Sequence, residues 1–221
     1  GLCGPAEGLC FWSYWTGCGL DETASAAVSN ARLERRVDYF RDVVRALASP
    51  EAPLVAGYLG HALVADRLRS WFPEAVFLRL HRDPLSNAAS ILRSRQASDG
   101  AWFSTYPREC AGVQGQGPHA EVAAEVYWLN RRLAWLKRDH RTIHLTYEAL
   151  AADPNTVLQR VIEGGNACGL ALSAHNALPS SFDYRMACPG DDGGDAGRLK
   201  KELNRLESAH GPIDAEAVGY A

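Results

Sequence analysis

Apolar positions along the chain switch between a helical and a strand-like period, and that switching predicts an α/β protein. Over residues 21–48, Leu33, Val37, Phe40, Val43, Val44 and Leu47 recur at threes and fours. Arg35, Arg36, Asp38 and Arg41 fall largely on the other side, so a helix is expected there, ended by Ser49-Pro50. Leu54, Val55 and Ala56 read as a short buried strand. After the turn Gly57-Tyr58-Leu59-Gly60, helical spacing resumes over residues 61–71 through Leu63, Val64, Leu68 and Trp71. Val76, Phe77, Leu78 and Leu80 then predict a buried strand of a sheet. Asp83 suits an N-cap and Pro84 the first helical position, so a helix follows at once, with Ala88, Ala89, Ile91 and Leu92 as its apolar side. An amphipathic helix is expected over residues 120–137 through Val122, Val126, Leu129, Leu133 and Leu136. Residues 142–146 read as another strand. Asp153-Pro154 opens a helix reaching about Cys168, and residues 198–208 form a short charged helix.

Strands that alternate with helices imply a three-layer α/β fold around a central parallel sheet, built as a single domain over residues 1–221. Residues 1–20, rich in Gly, Cys and aromatics without a clear period, are expected to pack as an irregular lid. Residues 96–118 carry several glycines together with Trp102, Phe103 and Tyr106, which reads as a binding loop. Residues 174–197 read as a loop ahead of the C-terminal helix.

Composition narrows the partners. The 221 residues can bury a full core, with 47% hydrophobic and 22% charged residues. A net charge of -3 argues against a broad nucleic-acid or membrane footprint and leaves room for a small anionic ligand held by a local cluster. No apolar run is long enough to span a bilayer. The six cysteines (Cys3, Cys10, Cys18, Cys110, Cys168 and Cys188) contain no CxxC pair, so zinc spacing is absent and no metal is expected. Scattered reduced thiols in a cytoplasmic protein are the expected state; a disulfide or reactive thiol among the first three is the alternative. Gly1 is not an initiator methionine, Met186 is the only Met, and no signal-peptide pattern is present, which reads as a chain cut or processed at its N-terminus.

The candidate chemistry gathers where the strand of residues 76–80 meets its helix. Arg82 ends the strand, a helix N-terminus follows, and Ser90 lies about two turns in. Helix N-termini present free amides and a positive dipole end, and a guanidinium grips a phosphate through parallel bonds. One reading is an anion site. The other is an ordinary strand-to-helix turn in which Arg82 pairs with Asp83 or another carboxylate.

The stretch FPEAVFLRLHRDPLSNAAS (residues 72–90), followed downstream by LTYEALAADP (residues 145–154), resembles the bacterial-type sulfotransferases that use 3′-phosphoadenosine 5′-phosphosulfate, PAPS. That family carries an Arg-Asp-Pro turn after a central strand, a serine eight positions beyond the arginine, and a later Tyr-Glu-x-Leu before Asp-Pro. The resemblance covers about residues 54–170. It implies a P-loop-NTPase-like fold and transfer of a sulfuryl group to a hydroxyl or amine of a small-molecule or glycan acceptor, with PAP, the 3′,5′-bisphosphate, as product. It places Arg82 and Ser90 on the nucleotide 3′-phosphate and Tyr147 against the adenine, with a core tyrosine as the alternative for Tyr147. Glu148 reads as a structural anchor. His61 falls near the family's general base, where an imidazole suits proton removal near neutral pH; a structural histidine at a helix start is the alternative.

The family's N-terminal strand and glycine-rich loop, which cradles the 5′-phosphosulfate, has no counterpart before Asp21. The only lysines are Lys137, Lys200 and Lys201. Pro5 removes an amide from the one glycine-containing stretch at the start. The fold is therefore expected to be N-terminally incomplete. The alternatives to transfer are a non-catalytic remnant that binds at most PAP, and a small-molecule kinase of the same fold. The kinase needs a Gly-Lys-Ser/Thr loop that the sequence lacks. Lys200 and Lys201, after Gly193, Gly194 and Gly197, read as a solvated helix face; the alternative, which the resemblance implies, is a late basic loop against the 3′-phosphate.

Overall fold

The computed structural model describes residues 8–22, 30–48, 52–100, 104–174, 176, 178–183 and 194–215. Eight helices and two strands are found among them: α1 (Leu9–Thr16), α2 (Asn30–Ala46), α3 (Ala65–Trp71), β1 (Phe77–His81), α4 (Pro84–Gln96), α5 (Pro118–Arg132), β2 (Thr142–Thr146), α6 (Tyr147–Ala152), α7 (Pro154–Ala167) and α8 (Asp195–His210). β1 and β2 pair in parallel, with Phe77 opposite Thr142 and His81 opposite Thr146.

By pleat alternation, Phe77, Arg79, His81 and His144 share one face of this ribbon, and Leu78, Leu80, Ile143 and Leu145 the other. α7 packs on the second face. A Cβ on Gly164 would lie 2.8 Å from Ile143, so glycine is what lets the helix approach β2 so closely. The first face meets the 3-10 turn Ala134–Arg138: the Phe77 and Trp135 rings are 6.5 Å apart, and His144 Nε2 donates to the Leu136 carbonyl at 3.1 Å. Helical segments thus flank a parallel ribbon on both sides, an α/β arrangement that is mostly helical.

The wider central sheet of a three-layer fold is not present among the described residues. Leu54, Val55 and Ala56 form no strand, and Val55 is 82% exposed. A strand needs a ladder partner, and β1 pairs with β2 alone among the described residues. The expected buried strand of residues 76–80 is inverted as well: Leu78 and Leu80 are each 50% exposed, while Arg79 keeps only 8% of its surface. α7 lies over β2 and leaves those two leucines of β1 open.

Other boundaries shift for local reasons. The irregular lid expected over residues 1–20 contains α1, which ends at Gly17 in the left-handed region (φ 67°). Its aromatics show no period because they face several sides: Trp15 stacks on Phe40 of α2 at 5.1 Å, and Trp12 meets Phe40 edge-on at 5.9 Å. Trp12 is core rather than lid, and Tyr14 is the ring left outside. Asp21 is not helical but bridges Tyr106, with the Tyr106 amide donating to the Leu20 carbonyl at 2.6 Å. The helix of residues 61–71 divides into a 3-10 turn, Leu59–Leu63, and α3 at Val64 (φ −129°, ψ 24°). α5 stops at Leu133 (φ −91°, ψ 1°) and continues as the 3-10 turn.

Two cores result. One joins α1, α2 and α3 around Phe40, Leu68 and Trp71; the other joins α4, α5 and α8 around Leu92, Val126, Tyr127 and Leu203. Arg132 of α5 bonds Glu22 (2.6 Å), Glu109 (2.6 Å) and the Leu63 carbonyl (3.5 Å), tying segments of both together. Its two carboxylate partners outweigh burial and hold its charge more firmly than an ordinary arginine's.

Candidate functional site

Both sequence motifs lie at the carboxyl ends of the two strands, where parallel sheets hold ligands. β1 ends at His81, and Asp83 caps α4 by accepting the Ser86 amide at 2.7 Å, with Pro84 in the first turn. β2 ends at Thr146, whose hydroxyl caps α6 by accepting the Ala149 amide at 3.2 Å. Adjacent strands therefore deliver adjacent helix N-termini. Losing the Asp83 cap through Asp83→Ala is expected to lower stability by about 1 kcal/mol, readable as a denaturant midpoint shift at constant slope.

The two turns touch. The Asp83 amide donates to Glu148 Oε1 at 3.2 Å, and the Arg82 guanidinium lies over the Tyr147 ring, 4.5 Å from its centroid. Glu148 is an anchor between turns, and the Tyr147 ring is a cation–π partner of the guanidinium. Ser90 lies on α4 four residues after buried Ser86, hence on the same helix face, and is half-buried. Its hydroxyl makes no hydrogen bond among the described residues.

His61 stands apart from this group. No hydrogen bond, ion pair or ring contact joins it to Arg82, Ser90 or Tyr147. Its ring lies edge-on to Trp12 at 4.4 Å and to Tyr58 at 5.3 Å, and its Nε2 is buried without a hydrogen-bond partner. Burial lowers its pKa to about 4. The His61 C2–H resonance is therefore expected to titrate near pH 4 and to stay still between pH 6 and 8. A midpoint near 6.5 would place the ring in solvent.

Of the other sequence features, Trp102 and Phe103 lie outside the described residues, as do Cys3, Cys188 and residues 184–193. Tyr106 is a core residue whose hydroxyl donates to the Cys110 carbonyl at 2.9 Å. Cys10, Cys18, Cys110 and Cys168 are free thiols; Cys18 is buried, and burial pushes its pKa up to about 11. Lys200 and Lys201 are exposed on α8. No helix among the described residues is long and apolar enough to cross a membrane.

Periodicity passed over several buried ionisable residues, Glu125 and Arg79 among them. Glu125 is fully buried on α5; its Oε1 accepts the Thr105 amide at 3.1 Å and the Thr105 hydroxyl at 3.3 Å. The signal was a carboxylate three residues after Val122 and four before Leu129, on the apolar stripe itself. Arg79 interrupts an apolar strand in the same way.

The chain is an α/β protein in which an arginine and two helix starts meet at the carboxyl ends of parallel strands. A model described as the sulfotransferase family matches residues 21–173, and the chain belongs to that family. No curated protein and no solved structure matches it.

Proposed function

We propose that this chain uses PAPS as sulfuryl donor, with Arg82 and Ser90 on the nucleotide 3′-phosphate and Tyr147 beside the adenine. The observation that carries the reading is the meeting of two turns 65 residues apart in sequence. The Arg82 guanidinium lies over the Tyr147 ring at the head of α4, a contact that limits the freedom of its fork before any ligand arrives. The half-buried Ser90 hydroxyl supplies a neutral donor on the same helix.

In the reaction, the acceptor's hydroxyl or amine forms a bond to sulfur as the bond from sulfur to the phosphate oxygen breaks. PAP leaves with the electron pair, and the acceptor's proton goes to a base. Positioning and charge neutralisation carry most of such a transfer. His61 is the candidate base of this reading, with basicity weakened by burial. The acceptor is a small molecule or glycan.

A second reading has its own support. No lysine precedes Lys137, and no strand with a glycine-rich loop precedes β1 among the described residues. In this reading the chain binds PAP without transferring sulfate, because no loop to grip the 5′-phosphosulfate is found among the described residues. Calorimetry with PAP, alongside transfer of labelled sulfate from PAPS, separates the two. Binding with transfer supports the first reading, and binding without transfer the second. Absence of PAP binding eliminates both.

A further inference from the structure

The two edges of β1 are used unequally. The Phe77 amide donates to the Arg141 carbonyl at 2.9 Å, and β1 runs parallel to β2 with Phe77 opposite Thr142. Backbone groups of a strand alternate between its edges, so Phe77, Arg79 and His81 direct theirs to β2. Leu78 and Leu80 direct their N–H and C=O groups to the other edge. Those groups have no hydrogen-bond partner among the described residues, where β1 pairs with β2 alone. The side chains of the same two leucines are each 50% exposed. An open edge is a template for another strand, and folded proteins blunt it with lysine, proline or a bulge. Phe77–His81 carries neither lysine nor proline, and its register with β2 is unbroken.

The two faces at this edge differ in chemistry. One presents Leu78 and Leu80; the other carries Arg79 and His81, with His144 beside them on β2. Arg79 is largely buried, but its guanidinium nitrogens keep contact with solvent. Asp214 acts on it from the turn after α8 and is shared with Lys137, whose Nζ donates to Oδ2 at 2.8 Å, so this face retains positive charge. A strand laid along the edge alternates its side chains between the same two faces. It matches β1 when its apolar residues lie beside the leucines and its acidic residues beside Arg79. A second copy paired antiparallel about Arg79 would set guanidinium beside guanidinium, a like-charge pair that destabilises the ladder.

We propose that the open edge of β1 is an interaction surface that takes, as an added strand, an extended segment of a partner protein with alternating apolar and acidic residues. The backbone of Leu78 and Leu80 supplies the ladder, and the unlike faces select the partner. The surface is separate from the PAPS reading, which uses Arg82 beyond the end of β1.

The test is amide hydrogen exchange, read by NMR on the full chain, with a synthetic peptide of about six residues alternating valine and glutamate. In the free protein the Arg79 and His81 amides, bonded to β2, should exchange slowly and those of Leu78 and Leu80 fast. At a peptide concentration of about ten times its Kd, the leucine amides should slow by about tenfold. A valine–lysine peptide should bind roughly 3- to 30-fold more weakly, because attractive cross-strand pairs become repulsive. Leu80→Thr keeps strand propensity at an exposed position and removes the apolar contact, so the glutamate peptide should bind it roughly 2- to 5-fold more weakly. Slow exchange at Arg79 in that variant verifies that the ribbon is intact. The proposal is overturned if the leucine amides of the free monomer are already as slow as that of Arg79, since the chain would then cover its own edge. It is equally overturned if their protection rises with protein concentration alongside a dimer in sedimentation, the mark of a second copy. Unchanged exchange with the glutamate peptide, equal binding of the lysine peptide, or undiminished binding to Leu80→Thr also overturns it.

Discussion

Arg82→Ala is expected to weaken PAP binding by about a hundredfold or more, roughly 3 kcal/mol, while leaving the fold nearly as stable as before. Hydrogen bonds to charged groups are each worth about 1.5–3 kcal/mol, and a bidentate guanidinium on a dianion makes two of them. On the side of the fold, the contact with Tyr147 is a cation–π interaction of about 0.5–2 kcal/mol at a half-buried position. Arg82→Lys keeps the charge but loses the fork, and should fall between wild type and the alanine variant. Calorimetry with PAP and with adenosine 5′-phosphate makes the assignment specific. The alanine variant should lose affinity for PAP and keep that for the nucleotide without a 3′-phosphate. Equal losses for both nucleotides would move Arg82 away from the 3′-phosphate, and no loss for either would return the turn to a structural role.

That turn was the most legible part of the chain, and the reason is local. Asp83 and Pro84 encode a helix start within three residues, and the structure has the cap and the helix where the sequence puts them. Thr142 to Thr146 and the start at Asp153-Pro154 are equally self-contained. What could not be read depends on partners distant in sequence. Leu54, Val55 and Ala56 have strand character, but a strand exists only beside another strand. Leu78 and Leu80 look buried until the position of α7 over β2 decides which residues are covered. The aromatic helix α1 hid because Phe11, Trp12 and Trp15 surround Phe40 from several directions, and a residue that packs on all sides leaves no period. Of the site, Arg82 and Tyr147 were legible as motifs and prove to be in contact. His61 sits in the aromatic core around Trp12, a neighbourhood that only tertiary packing could assign.

Glu125→Gln should abolish a pH dependence of stability that the wild type owes to one carboxyl. Burial is the main influence on Glu125 and raises its pKa from 4.5 to about 7, against the opposing pull of bonds from Ser104 and Thr105 and the charge of Arg95. Its Oε2 has no hydrogen-bond partner, so nothing at that oxygen favours the ionised form. Between pH 4.5 and 7 the folded chain therefore holds a proton that the unfolded chain releases. Stability must fall as pH rises through that window, by about 3 kcal/mol in all, because a raised carboxyl pKa favours folding only while the group stays protonated. Glutamine keeps an acceptor for Thr105 and cannot ionise. It leaves an amide without a partner where Oε2 was, a roughly constant cost of about 1–3 kcal/mol at every pH. The absolute stabilities of the two proteins are thus less informative than the difference between their slopes. Urea midpoints from pH 4.5 to 8 should show the wild type losing ground to the variant steadily up to about pH 7 and then running parallel to it. Parallel curves throughout would mean that Glu125 is ionised in the folded state across the whole range. Thr105 and its bonds would then be holding a charge in the core, and the segment joining Tyr106 to α5 would be anchored by an ion rather than by a neutral acid.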